Sequence, residues 1–367
     1  MSASRWSAQD LRYIRKACRL ARKGAGRTSP NPMVGAVLVR AGRVVGAGFH
    51  QFAGGDHAEI IALKRAGAKA RGATLYITLE PCSHQGRTPP CTRALIGAGI
   101  KEVVCGTRDP NPLVAGRGFR KLRRAGIKLR VGVLENECRA LIESFSKFIT
   151  RRLPFVTLKL AATLDGKIAA GSGDARWISG EDSRLTVHRM RNEVDAVVVG
   201  IGTVKADDPQ LTCRIPGGRN PRRIVLDSRL GIDLSAAILH QVDPAKTIIV
   251  TGTAVSITKL RPLEALGAQI WSMPLRHREV AWLPLLRKLA ALGIVSVMIE
   301  GGAAVAASAL KAKIVDKIIF FYAPKFIGGD GRAMIAPLNI RRVRNSIPLK
   351  KIRVEKSGAD LMITGYF

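Results

Sequence analysis

The chain has 367 residues, 47% of them apolar, with 60 Lys and Arg against 27 Asp and Glu for a formal net charge of +33. This length predicts two domains rather than one core, and the apolar content excludes a disordered chain. No apolar run approaches the roughly 18 residues of a membrane span, and no apolar leader with a small-residue cleavage site opens the chain, so a cytoplasmic enzyme that engages no membrane is expected.

The excess charge is spread along the chain, +18 in residues 1–150 and +15 in the remainder. There is no basic tail, no block of five like charges, and only 5% aromatic content for stacking on bases. A general basic bias or anionic small substrates account for this better than a nucleic-acid partner. The six cysteines are too few and too scattered for a disulfide scaffold. Cys18, Cys105, Cys138 and Cys213 read as small buried apolar residues.

The Arg-rich start could pass for a transit peptide, but Leu11, Ile14, Cys18 and Ala21 recur at helical spacing and predict a first amphipathic helix over 8–23. A glycine-rich stop leads to Ser29-Pro30-Asn31-Pro32, then to a buried strand at 34–39 and a hairpin partner at 43–48. The flanking prolines can hold the Asn31 amide at a pocket edge. His57 begins a helix running to about Lys69. A strand follows at 74–79, a helix opening at Cys91, and a strand at 101–106. This alternation predicts a three-layer α/β/α domain.

One helix is expected over 134–152, and Leu153-Pro154 marks a boundary between domains 1–150 and 151–367. A second α/β pattern follows, with strands at 155–160, 195–199, 223–227, 246–250 and 295–299 and a helix at 183–192.

The strongest chemical signal lies between His57 and Cys91. His57-Ala58-Glu59 followed by Pro81-Cys82 and Cys91 supplies three zinc donors, an open coordination position and a carboxylate base. The order matches the zinc-deaminase signature, with eight residues between the cysteines instead of two. In that chemistry the metal activates water to attack the ring carbon that bears the amino group. Glu59 would move the proton to the leaving ammonia. A closed structural zinc knot lacks a fourth ligand at knot spacing, since His50 and His84 read as loop or pocket residues.

The second half carries weaker nucleotide signals. Gly200-Ile201-Gly202 is a partial dinucleotide fingerprint without its third glycine. Glu300-Gly301-Gly302 at a strand end before a helix forms a better phosphate cradle. The two are expected on opposite sides of one parallel sheet.

Several motifs together are similar to those of the bifunctional riboflavin-biosynthesis deaminase/reductase family. They are Glu80 to Cys91, Asn31-Pro32-Met33-Val34-Gly35, Asp109-Pro110-Asn111-Pro112, Thr163 to Ala169, Gly200 to Pro209, and Glu300-Gly301-Gly302. The resemblance spans nearly the whole chain. It implies a cytidine-deaminase-like N-terminal domain, a dihydrofolate-reductase-like C-terminal domain, and one zinc ion and NADPH as cofactors. It also implies a small phosphorylated pyrimidine substrate, deaminated first and then reduced from ribosyl to ribityl.

Carried over by position, zinc falls on His57, Cys82 and Cys91 with Glu59 catalytic, and the long loop with His84 and Arg87, beside Asn31, frames the pyrimidine. NADP contacts fall on Ala161, Trp177, Thr203, Asp207, Ser228 and Gly302-Ala303-Ala304-Val305-Ala306-Ala307-Ser308. Reductase substrate contacts fall on Arg191, Leu211, Arg214 and Glu300, the two arginines suiting a phosphate as guanidinium forks. Ala175 stands where many members have Ser, and Asp56 stands where Pro is usual before the His-Ala-Glu motif. Lys159 and Asp165 are candidates for the proton donor of the reduction. A homo-oligomer, dimer or tetramer, is expected. The competing readings are a tRNA-type nucleic-acid deaminase with an accessory nucleotide-binding domain, and a non-catalytic zinc module.

Overall fold

The computed structural model describes residues 6–83, 90–243 and 246–367. The chain divides into two compact units, Met1–Arg152 and Leu153–Phe367.

The first unit runs α1 (Ala8–Arg22), β1 (Gly35–Arg40), β2 (Arg43–Phe49), α2 (Ala58–Ala66), β3 (Thr74–Leu79), α3 (Cys91–Gly97), β4 (Glu102–Thr107), α4 (Arg117–Arg124), β5 (Lys128–Val131), α5 (Glu135–Leu141) and α6 (Glu143–Arg151). Ser7 starts α1 with a capping box. The Asp10 N–H donates to Ser7 Oγ (3.1 Å) and the Ser7 N–H to Asp10 Oδ2 (3.2 Å). The sheet has the order β2-β1-β3-β4-β5, antiparallel at β2-β1-β3 and parallel from β3 to β5.

One face of this sheet packs Ile14, Ala17 and Cys18 of α1 against Val37 and Val104, with Cys138 of α5 alongside. The other packs Ala58 and Ala62 of α2, Leu95 of α3 and Leu122 of α4 against Leu38, Ile77 and Val103. This is the expected three-layer arrangement. Cys18 and Cys138 are core residues, their sulfurs 3.7 Å apart. The single helix expected over 134–152 is two. Ile142 leaves helical geometry (φ −119°, ψ 16°) and turns into the core with Leu141.

The second unit runs β6 (Phe155–Thr163), β7 (Lys167–Ala169), α7 (Glu181–Glu193), β8 (Ala196–Gly200), α8 (Ile201–Asp207), β9 (Arg222–Leu226), β10 (Thr247–Thr251), α9 (Ile257–Ala265), β11 (Gln269–Ser272), β12 (Leu275–Arg276) and β13 (Glu279–Val280). It continues through α10 (Trp282–Ala291), β14 (Ser296–Glu300), α11 (Ala303–Lys311), β15 (Lys317–Ala323), β16 (Arg332–Ala333), β17 (Lys350–Ser357) and β18 (Asp360–Tyr366).

Nine strands form one sheet, β11-β10-β9-β8-β14-β6-β15-β18-β17, parallel except at β18 and β17. Its central strands are buried on both faces, as parallel strands covered by helices require. The two glycine turns expected on opposite sides of this sheet stand side by side instead. β8 pairs directly with β14, Val197 opposite Met298, so both turns emerge at the same carboxyl edge. Ligands of open α/β sheets bind at that edge.

Candidate active sites

In the first unit the sequence motif closes into one centre. His57 is the N-cap of α2, so its side chain leaves the helix at its start, while Glu59 sits in the first turn. Cys91 opens α3, and Cys82 lies in the loop after β3. His57 Nδ1 stands 3.1 Å from Cys91 Sγ and 3.7 Å from Cys82 Sγ. The three donor atoms lie within 4.8 Å of one another. Tetrahedral zinc with bonds of about 2.0–2.3 Å needs donors roughly 3.5–4 Å apart, so this donor set fits that metal.

The Cys91 N–H donates to Cys82 Sγ (3.3 Å). The hydrogen bond with Cys91 draws the Cys82 thiol down to about 4, assisted by His57. The same bond and burial push Cys91 up. Glu59 is 3% exposed, and burial holds its carboxyl above the ordinary range against the pull of His57.

α2 reaches this position because β2 lets it come close. A Cβ on Gly48 would run into the Ala58 carbonyl and Ile61, and one on Gly46 would run into the Ala62 carbonyl.

The centre opens into a cavity of about 480 Å³ whose wall includes Asn31, His50, Glu59, Asp109 and Asn111. His50 is 2% exposed. Its Nδ1–H donates to the Asp56 carbonyl (3.1 Å), which leaves Nε2 to accept from Asn31 Nδ2 (3.1 Å). Burial lowers the pKa of this ring and favours the neutral form. Asn31 therefore presents its carbonyl oxygen as the free end of the amide.

Sequence reasoning missed Glu80. Its buried carboxylate accepts the N–H groups of Asp109 (3.3 Å), Gly116 (2.9 Å) and Phe119 (3.3 Å), pinning the loop that carries Asp109 and Asn111. The only available signal was its place two residues before a ligand. His84 and Arg87 lie outside the described residues.

The second unit holds a cavity of about 750 Å³ at the carboxyl edge of its sheet. Of the residues singled out from the sequence, it gathers Ala161, Trp177, Arg191, Thr203, Asp207, Leu211, Arg214, Glu300 and Gly302, with Lys159 and Ala175. Arg191 and Glu300 clasp each other bidentately, Nε to Oε1 at 2.7 Å and Nη2 to Oε2 at 2.9 Å. Lys159 stands 3.8 Å from the same carboxylate. Burial would raise the Glu300 carboxyl, but Arg191 and then Lys159 hold it below the ordinary range. Burial lowers the Lys159 ammonium. The fork expected of Arg191 toward phosphate is thus already engaged, whereas Arg214 is exposed on the cavity wall.

Gly301 and Gly302 adopt φ of +92° and +70°, and a Cβ on either would sit 3.2 or 3.1 Å from Thr203. Glycine alone gives this floor both its conformation and its clearance. With the start of α11 immediately above, it fits the pyrophosphate of a dinucleotide. Only the beginning of the Gly302–Ser308 stretch faces outward. Ala306 and Ala307 are buried, and Ser308 Oγ donates to Glu279 and accepts from Trp282 Nε1. Trp177 is 64% exposed, with the Arg184 guanidinium 4.8 Å from its ring centre.

Ser228 lies beyond the cavity lining, at the end of β9, where its carbonyl accepts the Gly252 N–H. Asp165 caps the turn at Ile327 and Gly328 and accepts from Thr163 Oγ1. Its carboxylate therefore holds a loop, and it does not line the cavity.

Residues 7–107 match the cytidine and deoxycytidylate deaminase zinc-binding region, and residues 154–363 match the RibD C-terminal domain. The chain is 46% identical to the riboflavin biosynthesis protein RibD of Aquifex aeolicus over 355 residues, covering 96% of this chain and 97% of that protein. It is 37% identical to the RibD of Escherichia coli strain K12, covering 97% and 98%. Among solved structures it is similar to Acinetobacter baumannii RibD, with a TM-score of 0.86 at 36% identity and 98% of each chain covered. It is likewise similar to a diaminohydroxyphosphoribosylaminopyrimidine deaminase/5-amino-6-(5-phosphoribosylamino)uracil reductase from Thermotoga maritima, with a TM-score of 0.84 at 40% identity and 98% of each chain covered.

Proposed function

This chain belongs to the riboflavin biosynthesis protein RibD family, and from that premise we propose which of its residues carry each of its two reactions. The chain is a bifunctional deaminase and reductase of riboflavin biosynthesis, with zinc and NADPH as its cofactors. The first unit is assigned the deamination and the second the reduction.

In the first unit the substrate is a diaminopyrimidinone carrying a ribosylamino 5′-phosphate. His57, Cys82 and Cys91 would hold zinc, which when bound would supply Lewis acidity toward water. Glu59 takes the proton of the attacking water and delivers it to the departing amine, a transfer that its burial beside His57 keeps out of bulk solvent. Asn31, clamped by His50, offers its carbonyl oxygen to the N–H groups of the ring. Asp109 and Asn111, held by Glu80, complete the wall.

In the second unit NADPH, when bound, supplies the hydride. Gly301–Gly302 beside Thr203 would take its pyrophosphate and Ala161 its nicotinamide half, with Trp177 and Asp207 as flanking contacts. Ser228 and the start of α11 are further contacts. Glu300 and Lys159 meet the sugar at the reducing end, with Leu211 beside them. Arg191 orients Glu300, and Arg214 takes the substrate phosphate. Lys159 is the candidate proton donor, since it lines the cavity with its ammonium 3.8 Å from Glu300.

A cytoplasmic location is supported by six unpaired cysteines, and no helix among the described residues is long and apolar enough to cross a membrane. A homo-oligomer is supported by the edge strand β17, where Ile352 and Val354 are more than half exposed.

The observation that carries this reading is the convergence of His57, Cys82 and Cys91 on one point beside the buried Glu59. A coupled assay with chelator tests it. Deamination should stop, reduction of pre-deaminated substrate should continue, and added zinc should restore the first step. Chelator-resistant deamination would overturn the assignment.

A further inference from the structure

The cavity of the second unit accounts for the reacting half of a dinucleotide and leaves its other half unassigned. From the Gly301–Gly302 floor at the end of β14, the reacting half runs toward β6, where Lys159 stands opposite Glu300 of β14. The adenosine half must then run the opposite way, over the carboxyl ends of β8 and β9. These two strands lie successively beside β14, which puts the end of β9 roughly 10 Å from the floor at ordinary strand spacing.

In dinucleotide-binding sheets the residue at such a strand end reads the ribose 2′ position. A carboxylate there accepts from a free 2′-hydroxyl, and a guanidinium accommodates a 2′-phosphate. β9 is followed directly by Asp227-Ser228-Arg229. Asp227 is 2% exposed, and its Oδ2 accepts the Ile232 N–H at 2.8 Å, so this carboxylate is turned into its own loop and away from any ribose. Arg229 is exposed and makes no hydrogen bond or ion pair among the described residues. Lys205 of α8 extends to the same turn, since a Cβ on Gly231 would sit 3.3 Å from its Nζ. By contrast, Arg191 and Lys159 are committed to Glu300, and Arg176 to the Asp207 carbonyl.

We propose that Arg229, backed by Lys205, binds the 2′-phosphate of the cofactor and makes the reductase select NADPH over NADH. This rests on the dinucleotide reading of the cavity. Arg229 acts as a specificity residue remote from the hydride. A guanidinium can take two phosphate oxygens at once, while an ammonium supplies charge alone, so Arg229 carries the larger share.

The test measures binding to the full-length protein by titration calorimetry, using adenosine 2′,5′-bisphosphate and adenosine 5′-monophosphate, which differ only in the 2′-phosphate. The unmodified protein should bind the bisphosphate at least about tenfold more tightly, and Arg229→Ala should reduce that ratio to within about threefold without weakening the monophosphate. Arg229→Lys should retain part of the ratio, and Lys205→Ala should lower it less than Arg229→Ala. The preference of the unmodified protein should also fall as salt rises. An unchanged ratio in Arg229→Ala, with NADPH still bound, would overturn the proposal and leave the cofactor site standing. Failure of the unmodified protein to bind NADPH at all would overturn the dinucleotide reading and the proposal together.

Discussion

Arg191 and Glu300 hold each other through two parallel hydrogen bonds of 2.7 and 2.9 Å, although 109 residues separate them in the chain. Both are almost wholly enclosed, with side-chain exposures of 14% and 7%. Removing one charge of such a pair strands the other, at a cost of about 3–5 kcal/mol. Glu300→Gln should therefore destabilise the second unit by roughly that amount, as read by denaturant unfolding. It should also lower reductase kcat/KM while deamination of the same sample is unaffected. If Glu300→Gln unfolds at the same denaturant concentration as the parent protein, the clasp has no energetic weight.

Arg214 is an exposed guanidinium on that cavity wall. Arg214→Ala should raise the KM for the phosphorylated substrate by about ten- to a hundredfold, the worth of a charge-assisted bond to phosphate. The KM for NADPH should change much less. The reverse ranking would place Arg214 on the cofactor.

Glu59→Gln keeps the side chain's size and removes its capacity to carry a proton. Deamination should fall by about a hundred- to ten-thousandfold, the usual contribution of a general acid–base group. Zinc content by atomic emission should stay at one per chain, and reduction of pre-deaminated substrate should be unchanged. Substantial deamination by this variant would remove Glu59 from the proton path.

Glu80 serves three backbone N–H groups of one loop. Glu80→Ala should cost roughly 3–5 kcal/mol, because buried donors without an acceptor cost about 1–3 kcal/mol each and not all can find water. Deamination should drop even in the surviving folded fraction, because Asp109 and Asn111 would leave the cavity wall. Hydrogen exchange at 109–119 should accelerate. Unchanged protection there would refute the role.

Asp10 ties α1 to β5, its carboxylate taking Arg130 Nη1 at 2.6 Å and Nη2 at 2.9 Å, with the Tyr76 hydroxyl at 3.2 Å. Burial alone would raise its pKa, but Arg130 and Ser7 override this and hold it below the ordinary carboxylate range. A pKa depressed by folding means stability that is fully present above the unfolded carboxylate value of about 3.9 and is lost as pH falls through the lower folded value. Asp10→Asn should therefore be less stable than the parent at neutral pH by about 1–3 kcal/mol. The two melting temperatures should converge below about pH 3.9. A gap that persists at low pH would mean that the charge is not what matters.

The sequence by itself determined the cluster of His57, Cys82 and Cys91 and the two-part α/β organisation. The ligands are a chemically restricted set, and each sits at the start of a helix or just after a strand, where local pattern is strongest. Strands such as β3, β8 and β14 are continuous apolar runs that announce themselves. α4 was not legible, because Phe119 and Leu122 are its only large apolar residues in a basic segment. Nor were β17 and β18, since β17 carries only two apolar residues, Ile352 and Val354, and both are exposed.

Only the tertiary structure decided that the glycine turns after β8 and before α11 share one edge. It alone showed that Arg191 is engaged by Glu300, that Asp165 serves a loop, and that His50 and Glu80 line the cavity of the first unit. These are contacts between groups far apart in the chain or between a side chain and distant backbone. No periodicity encodes such contacts, because they follow from which strands lie side by side. Strand order is set by the packing of whole layers, whereas a ligand motif is set by a few neighbours in sequence.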